Sequence, residues 1–222
     1  MAENGAVHDN ETRARVLKAA ARLFAERGFN HVSVRDICKE AGANVASVNY
    51  HFGDKLGLYR ELIGSVAEGM NDAKASAFEA AAGLAPAEQL RAYIRGFLHQ
   101  LLDPNPAEAS YMEKLFAREM TEPTPALDLI IAKGIKPATE RLIKLVSEVL
   151  GLPTDHPHVL MGMSAIQGLC IWYHSSRTVA ERLVPGLQYT PETIDYMAEF
   201  IADYSLAGLR GQMKKDRGSY GP

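Results

Sequence analysis

The chain has 222 residues, of which 47% are hydrophobic and 23% charged; this excludes a disordered chain and allows either one large core or two smaller ones. No stretch approaches the roughly 18 continuous apolar residues of a membrane span, and MAENGAVHDN lacks the basic and apolar regions of a signal peptide, so a cytoplasmic protein is expected. The net charge of −3 hides a segregation: residues 11–60 carry nine Lys/Arg against five acids, whereas residues 61–222 carry fifteen against twenty. A nucleic-acid contact, if there is one, belongs to that basic segment.

Periodicity close to 3.6, with Gly and Pro falling between the periodic segments, predicts an all-α fold. In chain order, residues 1–10 are expected as a flexible tail. A first helix follows over ETRARVLKAAARLFAER, with Val16, Leu17, Ala20, Leu23 and Phe24 on one face and Gly28 as its stop. Ser33 is placed to cap VRDICKEA, with Asp36 three residues on in the capping-box position; Gly42 ends that helix, and Asn44 caps VASVNYHF almost at once. Two short helices joined by Ala41, Gly42 and Ala43 predict a helix-turn-helix over 33–52. A longer helix is expected from Asp54 to about Ala82, then helices near 86–102, 106–121, 124–150, 156–178 and 190–214, with a disordered tail over 215–222. The domain reading is a DNA-binding domain over 11–60 and a helical effector-binding and dimerisation domain over 61–214.

AARLFAERGF, SVRDICKEAG, NVASVNYHF and the following Asp54-Lys55 with Leu58 and Tyr59 occur in order over about fifty residues, and this segment resembles the DNA-binding domain of the TetR family. The resemblance implies a three-helix DNA-binding domain followed by a larger helical domain that binds a small-molecule effector and dimerises. It implies a repressor released from a palindromic operator when the effector shifts the helix at 54–82. LFAREMTEPTP and KGIKPATERL match a subgroup of variable effectors, and the effector's identity is not carried over. The alternative is a helical small-molecule-binding protein with no DNA function.

A recognition helix enters the major groove with small or hydrogen-bonding side chains near its N-terminus. Asn44, Val45, Ala46, Ser47 and Asn49 meet that requirement: Ser47 and Asn49 can bond base edges, and Val45 and Ala46 can pack on thymine methyls. Tyr50, His51, Lys55 and the Ser33 cap are expected on phosphate oxygens, whereas Val48 and Phe52 read as the core face of the same helix. Many members of the family carry an aromatic residue where this chain has Asn49 and a basic one where it has Val45, so the operator sequence is not carried over either.

VLMGMSAIQGLCIWYH in the helix at 156–178 is apolar nearly all round and therefore needs cover on two sides. Gly162, Ala165 and Gly168, which permit close helix approach, and the stripe Ile194, Met197, Ile201 and Tyr204 are expected to form a four-helix homodimer interface, as the resemblance also implies. An effector pocket is expected among Phe97, Tyr111, Met112, Phe116, Met163, Gln167, Cys170, Trp172 and Tyr173, with Arg118, Glu119 and His174 as its polar members. Cys38 and Cys170 stand far apart, and the histidines show no ligand spacing, so no disulfide, metal or cofactor is expected. With no phosphate loop, nucleophile elbow or acid/base pair in a recognisable frame, neither is an enzyme.

Overall fold

The computed structural model describes the backbone over 2–102 and 107–216, and side chains over 9–68, 79–102, 111 and 113–212. Within these residues the chain is helical, without a strand. α1 (Ala2–Arg27) leads through a 3₁₀ turn (Phe29–His31) to α2 (Val34–Ala41), α3 (Val45–Phe52) and α4 (Lys55–Ala80). α5 (Pro86–Leu102), α6 (Ala107–Thr121), α7 (Leu127–Ile130), a π-turn (Ile131–Ile135) and α8 (Lys136–Leu150) follow, then α9 (Pro157–Ser175), α10 (Arg177–Leu183) and α11 (Pro191–Asp216).

The helix-turn-helix forms where its caps place it. Ser33 Oγ accepts from the Asp36 amide while the Asp36 carboxylate accepts from the Ser33 amide, so each satisfies a helix-end group of the other. The bond from Ser33 holds the Asp36 carboxyl below its ordinary range. This contribution to stability is complete above the unfolded carboxyl pKa of about 4 and is lost as pH falls through the lower folded value. Gly42 ends α2 at φ 59°, a left-handed conformation that a side chain would strain. Asn44 Oδ1 then accepts from the Ser47 amide at 2.8 Å and opens α3. Asn44→Ala is expected to lower the unfolding free energy by about 1 kcal/mol, read from the midpoint of a urea titration.

The chain divides into two compact units, one taking in residues up to 69 together with 105–135, the other 70–104 and everything from 136 on. The first unit's core does not stop at residue 60. Val16, Phe24, Ile37, Val48 and Leu58 share it with Leu62, Ile63, Leu115, Ala126 and Ile130. The second is a bundle of α5, α8, α9 and α11 around Leu90, Ile94, Leu98, Leu142, Val146, Ile194 and Ile201. Arg91 pairs with Glu199 and Asp203, and Arg95 and His99 with Asp195, tying α5 to α11 along one edge of the bundle.

Three expectations about the backbone are corrected. Residues 2–10 are not a loose tail but the first turns of α1: extending a nucleated helix costs one residue's freedom per added bond, and Asp9 is anchored on α3. The single helix over 124–150 is broken into α7, the π-turn and α8. Pro137 cannot donate to the carbonyl four residues back and its ring crowds it, and the wider π register directly precedes it. The helix at 156–178 ends at Ser175, and α10 is an additional short helix held by Arg177, which bonds Glu181 and the Leu102 carbonyl and lies 4.6 Å from the Tyr189 ring centre.

Candidate nucleic-acid interface

α3 has one side fixed inside the first unit and one side open. Val48 is fully buried, whereas Asn44, Val45, Ala46, Asn49 and Tyr50 are exposed and Ser47 is half-buried. The open edge is uncharged and small at its N-terminal end, with Tyr50 projecting at the far end. Ser47 Oγ donates to Asn44 Oδ1 at 3.0 Å, which commits its one proton and leaves its lone pairs and the amide group of the exposed Asn44 as the polar groups of that turn. Ser33 is exposed at the start of α2, but its amide and hydroxyl both donate to the Asp36 carboxylate, at 2.9 and 2.5 Å, so the expected phosphate contact from its side chain is corrected: it has no donor left for one.

Two further expected phosphate contacts are corrected. The His51 side chain is only 8% exposed, with Nε2 3.2 Å from Asp9 on α1. The Lys55 ammonium donates to the carbonyls of Phe29 and Val32 at 2.9 and 3.0 Å and sits 4.2 Å from the Phe29 ring centre. Both are engaged inside the unit. Lys55 covers an aromatic cluster in which Phe24, Phe29 and Tyr59 have ring centres 4.8–5.8 Å apart. The cation that does stand beside the open edge, Arg15, was missed in the sequence. Asp9, Thr12 and Arg15 of α1 line a shallow groove with Gly42, Ala43, Asn44 and Ser47, and Arg35 and Lys39 are exposed on α2. A helical wheel of α1 extended back to Asp9 would have placed Arg15 off its buried face.

The expected effector-pocket residues separate. Tyr111 and Phe116 pack on the core of the first unit, where Arg118 and Glu119 make hydrogen bonds to α1 and α4 and so are not free polar groups of a pocket. Met112 lies outside the described residues. In the second unit Phe97 and Cys170 are core, with Met163 and Tyr173 packed against them. Trp172 is 66% exposed on the outside of α9, and His174 donates from Nδ1 to the Leu101 carbonyl at 2.9 Å. Two polar groups absent from the sequence expectation join the remaining set: the buried Tyr93, whose hydroxyl faces the Gln167 side chain, and the half-buried Thr139, 3.4 Å from the Gln167 amide. Burial pushes the Tyr93 phenol up to about 12, so it is a neutral hydrogen-bonding group at any physiological pH.

The expected dimer face also needs correcting. Ile194 and Ile201 are 0% and 1% exposed within their own bundle, Met197 packs against the same core, and a Cβ on Gly162 would meet Leu209 of the same chain at 2.5 Å. Ala165, Gly168 and Tyr204 do face outward. With Met161, Trp172 and Phe200 they form an open apolar face on α9 and α11, indented by a groove of about 980 Å³.

Residues 16–62 match the family described as bacterial regulatory proteins, tetR family, and residues 86–211 match the C-terminal domain of the HTH-type transcriptional dual regulator CecR. The chain is 25% identical over 202 residues, 90% of its length and 93% of the relative's, to the HTH-type transcriptional repressor NicS of Pseudomonas putida. It is 26% identical over 170 residues to the dual regulator CecR of Shigella flexneri, covering 70% of this chain and 75% of that one. Among solved structures, a putative transcriptional regulator from Pseudomonas aeruginosa superposes with a TM-score of 0.66 at 20% identity, over 90% of this chain and 93% of that one. AibR in complex with isovaleryl coenzyme A and operator DNA superposes with a TM-score of 0.61 at 19% identity, over 87% and 97%. With a TetR-type helix-turn-helix joined to a CecR-type domain that spans more than half its length, the chain belongs to the TetR family of bacterial transcriptional regulators.

Proposed function

We propose that the protein is a homodimeric repressor that reads a palindromic operator with α3 and leaves it when a small molecule binds the helical bundle. The observation that carries the DNA reading is the division of α3: Val48 fixes one side in the core, and the other leaves Val45, Ala46 and Asn49 exposed and Ser47 half-exposed, as a helix that enters a major groove requires. Asn49 reads a base, with adenine the best match, while Tyr50 and Arg15 position the helix on phosphates.

Two copies are needed, because a palindrome about one helical turn long, roughly 34–36 Å between half-sites, requires a two-fold protein. The open face on α9 and α11 is the surface we assign to that contact; its exposed large apolar groups, Met161, Trp172, Phe200 and Tyr204, are what such an interface removes from water. We assign the effector site to the bundle around Tyr93, Phe97, Met163 and Gln167, where the buried Tyr93 hydroxyl and the half-buried Gln167 amide stand among aromatic and sulfur-bearing groups. The relative solved with isovaleryl coenzyme A and operator DNA supports pairing these two kinds of ligand on this fold.

Fluorescence anisotropy on duplexes from the region upstream of the protein's own gene tests the reading. Asn49→Ala is expected to flatten discrimination at one operator position by about 1–3 kcal/mol. Arg15→Ala should instead weaken binding to all sequences and lower the slope of log affinity against log salt by about 1. Equal effects of both variants on every duplex would contradict the assignment of Asn49.

A further inference from the structure

Two consecutive residues of α6 reach across the first unit to the two helices that bracket the helix-turn-helix. Arg118 donates from Nε to the Ala25 carbonyl at 3.0 Å and from Nη2 to the Glu26 carbonyl at 2.8 Å. These are among the last carbonyls of α1, which no residue of that helix can satisfy, and a cation there is favoured by the helix dipole. Gly28, at φ 81°, makes room for it, since a Cβ there would lie 3.1 Å from Arg118 Nη1.

Glu119, 1% exposed, turns the other way. Its Oε1 accepts from the Tyr59 hydroxyl of α4 at 2.7 Å and from Thr124 Oγ1 at 2.9 Å, and its Oε2 accepts from the Thr124 amide at 3.1 Å. Thr124 Oγ1 also accepts from the Ala126 amide, which fixes the turn into α7. A buried carboxylate with three donors aimed at it is a set of groups whose positions determine one another, because displacing any of them leaves an unsatisfied polar atom in the core.

We infer that Arg118 and Glu119 are positioning residues for operator recognition: they hold α1 and α4, and with them the recognition helix, at a fixed angle to α6 and α7. The inference rests on the DNA reading above and adds to it the residues that set the head's orientation. Neither residue touches DNA. Their contribution is to the distance and direction at which a half-site is met, so their removal relaxes the demand for correct half-site spacing.

The test uses the full-length protein and its operator, together with operators lengthened by one, two or five base pairs between half-sites. Tyr59→Phe deletes only the hydroxyl and keeps the aromatic cluster; Thr124→Ala and Thr124→Ser form a second pair should that variant fail to fold. At a temperature where circular dichroism reports the folded state, the wild type is expected to lose affinity steeply with the insertions. In Tyr59→Phe and Thr124→Ala the one- and two-base-pair penalties should shrink by about tenfold, the equivalent of one hydrogen bond to a charged group, while Thr124→Ser keeps the wild-type penalties. Variants that melt earlier yet keep the wild-type spacing penalties would overturn the inference and leave the DNA reading standing. A wild type with no preference for any duplex would remove both.

Discussion

Gly168→Arg is expected to yield a folded monomer whose affinity for a two-half-site operator is lower by about 10³-fold, which is the avidity lost when two linked contacts become one. The expected fold retention follows from space: a Cβ at Gly168 meets nothing within 4 Å in the chain, and arginine is the better helix former. The expected dissociation follows from the same space being what a second copy's helix would occupy, so that a long cation is driven into an apolar contact without a counter-ion. Sedimentation measures the mass, and anisotropy on one-half-site and two-half-site duplexes measures the avidity. The single tryptophan supplies an independent readout, since Trp172 is 66% exposed on this face and its emission should shift to the blue as the wild type, but not the variant, is concentrated. An unchanged mass for Gly168→Arg would place the contact elsewhere.

Lys55→Met should have the largest effect on the stability of the DNA-binding head. The substitution keeps the stem and removes the ammonium, leaving the Phe29 and Val32 carbonyls without their donor and the Phe29 ring without its cation. Bonds to a charged donor contribute roughly 1.5–3 kcal/mol each, so a loss of about 3 kcal/mol in the denaturation midpoint analysis is expected once water re-solvates the 3₁₀ turn. Because the ammonium is directed inward, the salt slope of operator binding should be unchanged at temperatures where the variant is folded. A slope lowered by about 1 with little loss of stability would return Lys55 to the phosphates.

The helix-turn-helix was legible to the residue because its signals are local. Ser33, Asp36, Gly42 and Asn44 act on backbone groups within four residues of themselves, and such chemistry does not depend on what the rest of the chain does. Lys55 and His51 were misread for the opposite reason. Their partners, the Phe29 and Val32 carbonyls at the two ends of the 3₁₀ turn and Asp9 on an extended α1, come from elements that propensity did not announce, so a basic residue beside a DNA motif read as a phosphate contact.

α11 shows another limit of periodicity. It carries two apolar stripes, Ile194, Ala198, Ile201 and Leu209 toward its own bundle and Tyr196, Phe200 and Tyr204 toward the outside, and a count of apolar residues cannot say which stripe meets which neighbour. α9 is apolar on so many sides that its pattern selects no face at all. The grip of Arg118 and Glu119 on α1 and α4 spans 92–93 and 60 positions of sequence, and no spacing rule could have found it.

Equilibrium titration of the purified protein against a labelled duplex carrying its upstream palindrome, followed by competition with unlabelled single-half-site and scrambled duplexes, tests the central claim most directly. Two protomers are predicted to bind per palindrome, with at least about 10³-fold preference over the scrambled sequence at physiological salt, and Asn49→Ala should erase a measurable part of that preference. Saturation by one protomer, or equal competition by the scrambled duplex, would contradict it.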